Sequence, residues 1–193
     1  QTALRSTTYV NGSDNPSTTT RTVSFVVNDG SAGSNTGTRN ISVAAVNDAP
    51  VVSNLNGDAL AYAEGDGAVL IEQGGNAIVS DVDSADFNTG TLNVSFVAGS
   101  DSTEDVLAIR NQGTTAGLIG TSGANSNVTY GGTVIGTYTG GANGTDLVIT
   151  LNASATPAAV QALIRNITYK DTDTSTPTTG ARTVRWALTD GDG

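Results

Sequence analysis

The two ends of this 193-residue chain carry the same sequence pattern. Residues 1–9 read QTALRSTTY and residues 161–169 read QALIRNITY, while residues 21–30 read RTVSFVVNDG and residues 182–191 read RTVRWALTDG. The offset is 160 in the first pair and 161 in the second, and about ten positions in thirty are identical. Because order and spacing are both kept, we interpret the match as an internal repeat. A period near 160 residues is typical of whole tandem domains and is too long for a solenoid unit.

The repeat predicts the domain organisation. Residues 1–46 would be the C-terminal portion of one repeat, and residues 51–193 a second repeat that lacks its last strand. Residues 47–50, NDAP, would form a stiff linker, because a proline holds the residue before it extended.

The missing strand would correspond to Thr38–Val46. One hypothesis is that this segment fills the open edge of a second copy, head to tail. A continuous chain in a fibre and simple edge packing are the alternatives.

Composition and periodicity predict an all-β protein. Asp, Asn, Gly, Thr, Ser and Val dominate the chain, and these residues are typical of strands and turns. Segments that alternate apolar and polar residues are separated by turn signals at 74–76, 123–127 and 140–145, which is typical of an antiparallel Ig-like sandwich. Thr156 and Pro157 predict one short helix over 157–164. Strands are expected in the ranges 22–28, 38–46, 51–55, 60–63, 68–72, 91–98, 105–110, 127–130, 132–138, 146–151, 165–170 and 182–188.

Charge and residue usage exclude several classes of function. The net charge is −10 with only 8 Lys and Arg, so there is no basic face for nucleic acid. The chain has no Cys and no His, which excludes disulfides, thiolate chemistry and histidine-ligated zinc. No apolar run is long enough to cross a membrane, so membrane insertion is not expected.

Carboxylates cluster where the predicted strands end. The clusters are Asp81–Asp86 (DVDSAD), Asp171–Asp173 (DTD), Asp190–Asp192 (DGD), Ala63–Gly67 (AEGDG) and the junction Asn47–Asp48. Two carboxylates one residue apart on a turning backbone suit calcium, which takes six to eight oxygen ligands. Solvated acidic turns are the alternative reading of each cluster taken singly.

These clusters carry a resemblance that covers essentially the whole chain. AEGDGAVLI, VSDVDSAD, ITYKDTDT and ALTDGDG, with AVNDAP at the boundary, are similar to the cadherin-like repeats of giant bacterial surface adhesins. The resemblance implies an extracellular rod stiffened by calcium ions between domains. Ala45 and Ala49 stand where cadherins have linker ligands, so fewer ions than the full set of three, or weaker binding, are expected. The implied metal ligands are Asn47 and Asp48 in the linker; Asp81, Asp83, Asp86 and Asp190 in the second repeat; Asn11, Ser13 or Asp14 in the first; and Glu64, Asp171 and Asp173 toward a following repeat.

Three classes of function remain to be compared. An enzyme is not expected, because acid–base catalysis needs carboxylates facing a cleft with neighbours that raise one pKa, and these lie in Asp–Gly turns. A carbohydrate-binding module is the alternative reading, with Tyr130 and Tyr138 as candidates. Trp186 alternates with Val184 and Leu188, which predicts a core position. The favoured reading is a structural repeat of a secreted, cell-surface adhesin or fibre whose partners are copies of itself or adjacent repeats.

Overall fold

The computed structural model describes residues 2–122 and 126–192. The chain divides into two compact units, Gln1–Asp48 and Ala49–Gly193. Both units are built from antiparallel sheets with little helix, so the predicted all-β class is confirmed. Part of the turn predicted at 123–127 lies outside the described residues.

The first unit holds a helical turn, α1 (Thr2–Arg5), and two strands, β1 (Arg21–Phe25) and β2 (Gly37–Ile41). The strands pair antiparallel, with Arg21 opposite Ile41 and Phe25 opposite Gly37. None of the described residues of this unit is buried, and Val26, Val27 and Val46 are more than half exposed. The strand predicted over 38–46 corresponds to β2, which ends at Ile41 in the structure.

The second unit contains eleven strands and one helix among its described residues. The elements are β3 (Val51–Ser53), β4 (Val69–Leu70), β5 (Ile78–Ser80), β6 (Thr91–Ala98), β7 (Asp105–Ile109), β8 (Ile119–Ser122), β9 (Asn127–Tyr130), β10 (Thr133–Thr139), β11 (Leu147–Leu151), α2 (Pro157–Ile164), β12 (Ile167–Asp171) and β13 (Thr183–Leu188). A six-stranded sheet has the order β13-β6-β11-β10-β9-β8, and two smaller sheets have the orders β4-β12-β7 and β3-β5.

Alternation builds the core of the second unit. In β11, Leu147, Ile149 and Leu151 are buried, because side chains at every second position share one face of the sheet. Helix α2 begins as its sequence predicts: the Thr156 hydroxyl accepts a hydrogen bond from Ala159 N–H at 3.3 Å, with Pro157 in the first turn. Its buried face consists of Ala159, Val160, Leu163 and Ile164.

One predicted strand is absent from the structure, and two observed strands were not predicted. Residues 60–63 form no strand, because the Tyr62 side chain turns inward, donates to Gly67 O at 3.0 Å and packs edge-on against Tyr169. Strands β5 and β8 were not predicted. β8 is rich in small residues and lacks the alternation that marks a half-buried strand.

Candidate functional site

Two acidic segments meet at one end of the second unit. The loop between β5 and β6 carries Asp81, Asp83 and Asp86, and the turn after β13 carries Asp190 and Asp192. The two segments are joined by Ser84 Oγ, which donates to Asp192 Oδ2 at 3.3 Å, and by Thr89 Oγ1, which donates to Gly191 O at 3.1 Å. We call residues 81–89 and 190–192 the acidic end.

Local hydrogen bonds set the shape of the acidic end. Asp81 Oδ1 accepts the N–H groups of Asp83 and Ser84 at 3.1 and 2.9 Å. Asp190 Oδ1 accepts Asp192 N–H at 3.2 Å. These are Asx-type turns, in which a short acidic side chain caps the backbone two or three residues ahead. In each DxD segment, the backbone after the first Asp thus turns back toward the carboxylate of that Asp.

One carboxylate oxygen of the acidic end is left unsatisfied. Asp81 Oδ2 is buried and has no hydrogen-bond partner among residues 2–122 and 126–192. Asp190, in the turn to which this loop is hydrogen-bonded, is only 5% exposed. A buried polar oxygen without a partner is costly, so a native structure that keeps one needs a further partner such as an ion or a water.

The described residues do not form a complete metal site by themselves. Over these residues, no three His, Cys, Asp or Glu side chains are grouped so that they could hold a metal ion. The donors on offer at the acidic end are carboxylate oxygens and a serine hydroxyl, which are the hard oxygen ligands that calcium prefers. The donor chemistry and the unsatisfied Asp81 Oδ2 therefore fit calcium, while the number of converging carboxylates falls short of a closed site.

The predicted ligands of the first unit are exposed. Asn11, Asp14, Asn47 and Asp48 all lie at its surface, and Asn11 Oδ1 accepts Ser13 N–H at 3.0 Å. Asp29, which the repeat matches to Asp190, accepts the N–H groups of Ser31 and Ala32, both at 2.9 Å. The backbone N–H groups of Ala32 and Ser31 hold the pKa of Asp29 below its usual value.

Three further predicted ligands lie away from the acidic end. Glu64 is exposed in the turn that follows Tyr62. Asp173 Oδ1 accepts hydrogen bonds from Ser175 and Thr176, and the backbone N–H groups of these two residues lower the pKa of its carboxyl. Asp171 is buried, with its Oδ2 3.8 Å from Arg182 Nη2. The carboxylates of Asp171 and Asp173 are therefore already engaged by protein groups.

Sequence reasoning missed a buried ion-pair network in the second unit. Arg182 contacts three acidic residues: Nη2 lies 3.3 Å from Glu104 Oε1, Nε lies 3.1 Å from Asp105 Oδ2, and Asp171 completes the set. The Tyr169 hydroxyl donates to Asp105 Oδ1 at 2.5 Å. Burial, followed by this hydrogen bond and the Asp105 charge, raises the pKa of Tyr169. The only sequence signal was that Arg182 and Tyr169 both recur in the repeat, as Arg21 and Tyr9.

The aromatic side chains occupy two kinds of position. Tyr130 and Tyr138, the candidates for sugar contacts, are partly buried and pack against the core. Trp186 also packs against the core but is only partly buried, because it lines a groove of about 1030 Å³ together with Tyr62, Phe96 and Val184. Trp186 is thus at the edge of the core and is not enclosed by it.

No protein-family model matches this chain, and neither the search of curated proteins nor the search of solved structures found a significant match. Among the described residues, no helix is long and apolar enough to cross a membrane.

Proposed function

We propose that this chain is a structural segment of an extracellular tandem-repeat protein, of the surface adhesin or fibre kind, and that calcium stabilises its acidic end. The observation that carries the proposal is the buried, unsatisfied Asp81 Oδ2, in the loop that Ser84 joins to the Asp190–Asp192 turn. The sequence resemblance to cadherin-like adhesin repeats supports the same reading. Secretion to the cell surface and partners that are copies or adjacent repeats belong to this proposal.

Equivalent positions of the two units support the tandem-repeat part of the proposal. Helix α1 matches the last turn of α2 and the following Arg165 at the offset of 160, and β1 matches β13 at the offset of 161. The Arg21 guanidinium lies 5.9 Å from the Tyr9 ring centre, and in the second unit Arg182 and Tyr169 share Asp105. An arginine and a tyrosine at equivalent positions are therefore associated in both units, through different contacts.

Calcium at the acidic end would bind to Asp81 and would have to draw Asp190 and Asp192 toward it, because the described carboxylates are not grouped as a metal site. Asp83, Asp86 and Ser84 are further donors. The ion would neutralise part of the negative charge of the two loops and would hold them together. The linker residues Asn47 and Asp48 stay predicted ligands from the sequence. Catalysis is not part of the proposal.

Thermal unfolding of the whole chain with chelator and with added calcium tests the proposal. We expect calcium to raise the melting temperature, with a rise that grows with calcium concentration, as for any ligand that binds the folded state. Asp190→Asn should remove most of that rise. Asp29→Asn is the matched control, since Asp29 occupies the same place in the first unit and caps an exposed turn. A melting temperature that changes with neither calcium nor chelator would contradict the calcium proposal.

A further inference from the structure

We propose that a cleft in the second unit, with Arg110 and Arg165 in its wall, binds an oxyanion group: a carboxylate, a sulfate or a phosphate. The cleft has a volume of about 720 Å³ and is bounded by β4 and the loop after it, by the segment between β7 and β8, and by the end of α2. This inference goes beyond the proposed function and depends on neither calcium nor the repeat. No residue of the acidic end lines the cleft.

A buried asparagine holds Arg110 in place. The Arg110 Nε group donates to Asn166 Oδ1 at 2.8 Å, and the Arg110 backbone N–H donates to Asn166 O, also at 2.8 Å. Asn166 is only 7% exposed, and its Nδ2 donates to Ala162 O at 2.8 Å, which fixes the orientation of its amide. The guanidinium of Arg110 is therefore anchored through Nε, and among the described residues no acceptor is bonded to its two terminal nitrogens.

A backbone carbonyl holds Arg165 in place. Arg165 directly follows α2, and its Nε and Nη2 groups donate to Ala77 O at 2.9 and 2.5 Å. The loop that leads to Ala77 is shaped by Glu72, whose carboxylate accepts the backbone N–H groups of residues 75–77. The carboxylate of Glu72 is thus bonded to three backbone donors, and the guanidinium of Arg165 is bonded to a neutral oxygen.

The positive charge of these two arginines is not paired with a carboxylate. Neither Arg110 nor Arg165 forms an ion pair with a carboxylate of the described residues, whereas Arg182 contacts three. The chain carries 18 Asp and Glu but only 8 Lys and Arg, and both guanidinium groups of the cleft are nevertheless held by neutral oxygens. A neutral acceptor fixes the direction of a guanidinium without cancelling its charge, so the charge stays available to an anion.

The donors of the cleft match an oxyanion. A guanidinium presents a planar fork of N–H groups that fits two oxygens of a carboxylate or a phosphate, and a sulfate has the same tetrahedral shape as a phosphate. Gln112 adds a donor, because its Oε1 accepts Ile119 N–H at 3.3 Å and its amide NH2 remains available at the cleft. None of the described residues that line the cleft is aromatic, so a neutral sugar finds no ring to stack on. Recognition therefore rests on charge and hydrogen bonds.

Nuclear magnetic resonance of the full, 15N-labelled chain tests the site. The Nε–Hε signals of Arg110 and Arg165 are followed while sodium phosphate or sodium sulfate replaces sodium chloride at constant ionic strength. We expect both signals to shift saturably with one common Kd, while the signal of Arg182, which is bonded to Asp105, stays unchanged. Shifts that grow linearly with anion concentration, or an equal shift at the exposed Arg185, would overturn the site, because non-specific association affects every exposed arginine.

Three variants assign the binding to the cleft. Arg110→Gln should weaken binding about tenfold, the loss of a hydrogen bond to a charged group, while Arg185→Gln removes a charge outside the cleft and should leave the Kd unchanged. Asn166→Asp keeps the Oδ1 acceptor but places a carboxylate beside Arg110, so it should compete with the anion and abolish the saturable shift. Thermal unfolding without anion shows that each variant is folded. Equal binding by the wild type and a folded Arg110→Gln overturns the proposal.

A second titration distinguishes two sources of the oxyanion. The probes are an oligosaccharide that carries uronic acids and the neutral methyl ester of the same oligosaccharide. Tighter binding of the acidic oligosaccharide than of phosphate or sulfate assigns the site to an acidic saccharide, and the reverse order assigns it to a free inorganic anion. If the neutral ester binds as tightly as the acid, an oxyanion is not the group that the cleft recognises and the proposal is wrong.

Discussion

The Arg182 Nε group donates to both carboxylate oxygens of Asp105, at 3.2 and 3.1 Å, from inside the second unit. The Asp105 side chain is 1% exposed and that of Arg182 is 12% exposed. The pair joins the start of β13 to the start of β7, which belong to different sheets. Arg182 thus provides the positive charge that allows Asp105, Glu104 and Asp171 to be buried together.

Replacing Arg182 should strongly destabilise the second unit. Arg182→Met leaves three buried carboxylates without their cation, and breaking a buried ion pair by removing one partner costs about 3–5 kcal/mol. Urea unfolding near neutral pH, followed by Trp186 fluorescence, measures this loss. Arg185→Met is the matched control, because Arg185 is exposed on the same strand. Similar free energies of unfolding for the two variants would show that the ion-pair network does not stabilise the fold.

Tyr169 should make the fold sensitive to alkali. Burial, together with the hydrogen bond to Asp105 and its charge, raises the pKa of Tyr169 in the folded state above the ordinary value of about 10. The pKa of Tyr169 is therefore higher in the folded state than in the unfolded state. The stabilisation is therefore fully present below about pH 10 and is lost as the pH rises through the folded pKa.

Comparison of two tyrosine variants isolates this effect. Tyr169→Phe should be less stable near neutral pH, since it removes the hydrogen bond to Asp105, but its free energy of unfolding should fall less steeply in alkali. Tyr138→Phe serves as the control, because Tyr138 lies outside the network. Urea titrations at several alkaline pH values measure the slopes. Equal slopes in the wild type and Tyr169→Phe would contradict the assigned role.

The sequence predicted the elements whose signals are local. Helix α2 is found where Thr156, Pro157 and the apolar spacing placed it, and β6 and β9 have their predicted bounds. Residues 60–63 alternate like a strand, yet Tyr62 packs against Tyr169, 107 positions away in the sequence (169 − 62). Contacts between distant segments determine the structure of residues 60–63, and the periodicity of the sequence carries no information about such contacts.

The candidate sites also divide into features that local sequence predicts and features that depend on distant contacts. The DxD spacing predicted the turns at Asp81 and Asp190, because a short acidic side chain caps its own backbone. The network around Arg182 could not be predicted, since Glu104 and Asp105 lie more than seventy positions earlier in the chain. Asp171 was assigned to calcium on its DTD pattern, and only the fold shows that Arg182 lies beside it.

Gly191 should be essential to the acidic end. Its φ is +90°, and a Cβ there would lie 2.2 Å from Asn88 O. Gly191→Ala therefore combines a left-handed backbone with a collision against backbone. Gly67→Ala is the control, because Gly67 has φ +75° with open space around its Cβ position.

The free energies of unfolding of the two variants, measured by Trp186 fluorescence, separate the cost of the left-handed backbone from the cost of the collision with Asn88 O. We expect Gly67→Ala to lower the free energy of unfolding by about 1 kcal/mol, the cost of the left-handed backbone. Gly191→Ala should cost more than this and should also weaken the response to calcium. Equal losses for the two variants would mean that the turn after β13 moves away from Asn88 without consequence.

Asp81→Asn should have opposite effects with and without calcium. The variant keeps an Oδ1 acceptor for Asp83 and Ser84 N–H but replaces the buried, unsatisfied Oδ2 with an uncharged amide. In chelator it should be as stable as the wild type or more stable, because a buried carboxylate oxygen without a partner opposes folding. With excess calcium it should be the less stable chain, since the ion can no longer use that oxygen. Melting temperatures in chelator and in calcium, for Asp81→Asn and the wild type side by side, give the comparison. If Asp81→Asn is destabilised equally in both conditions, Oδ2 has a protein partner and the acidic end does not need an ion.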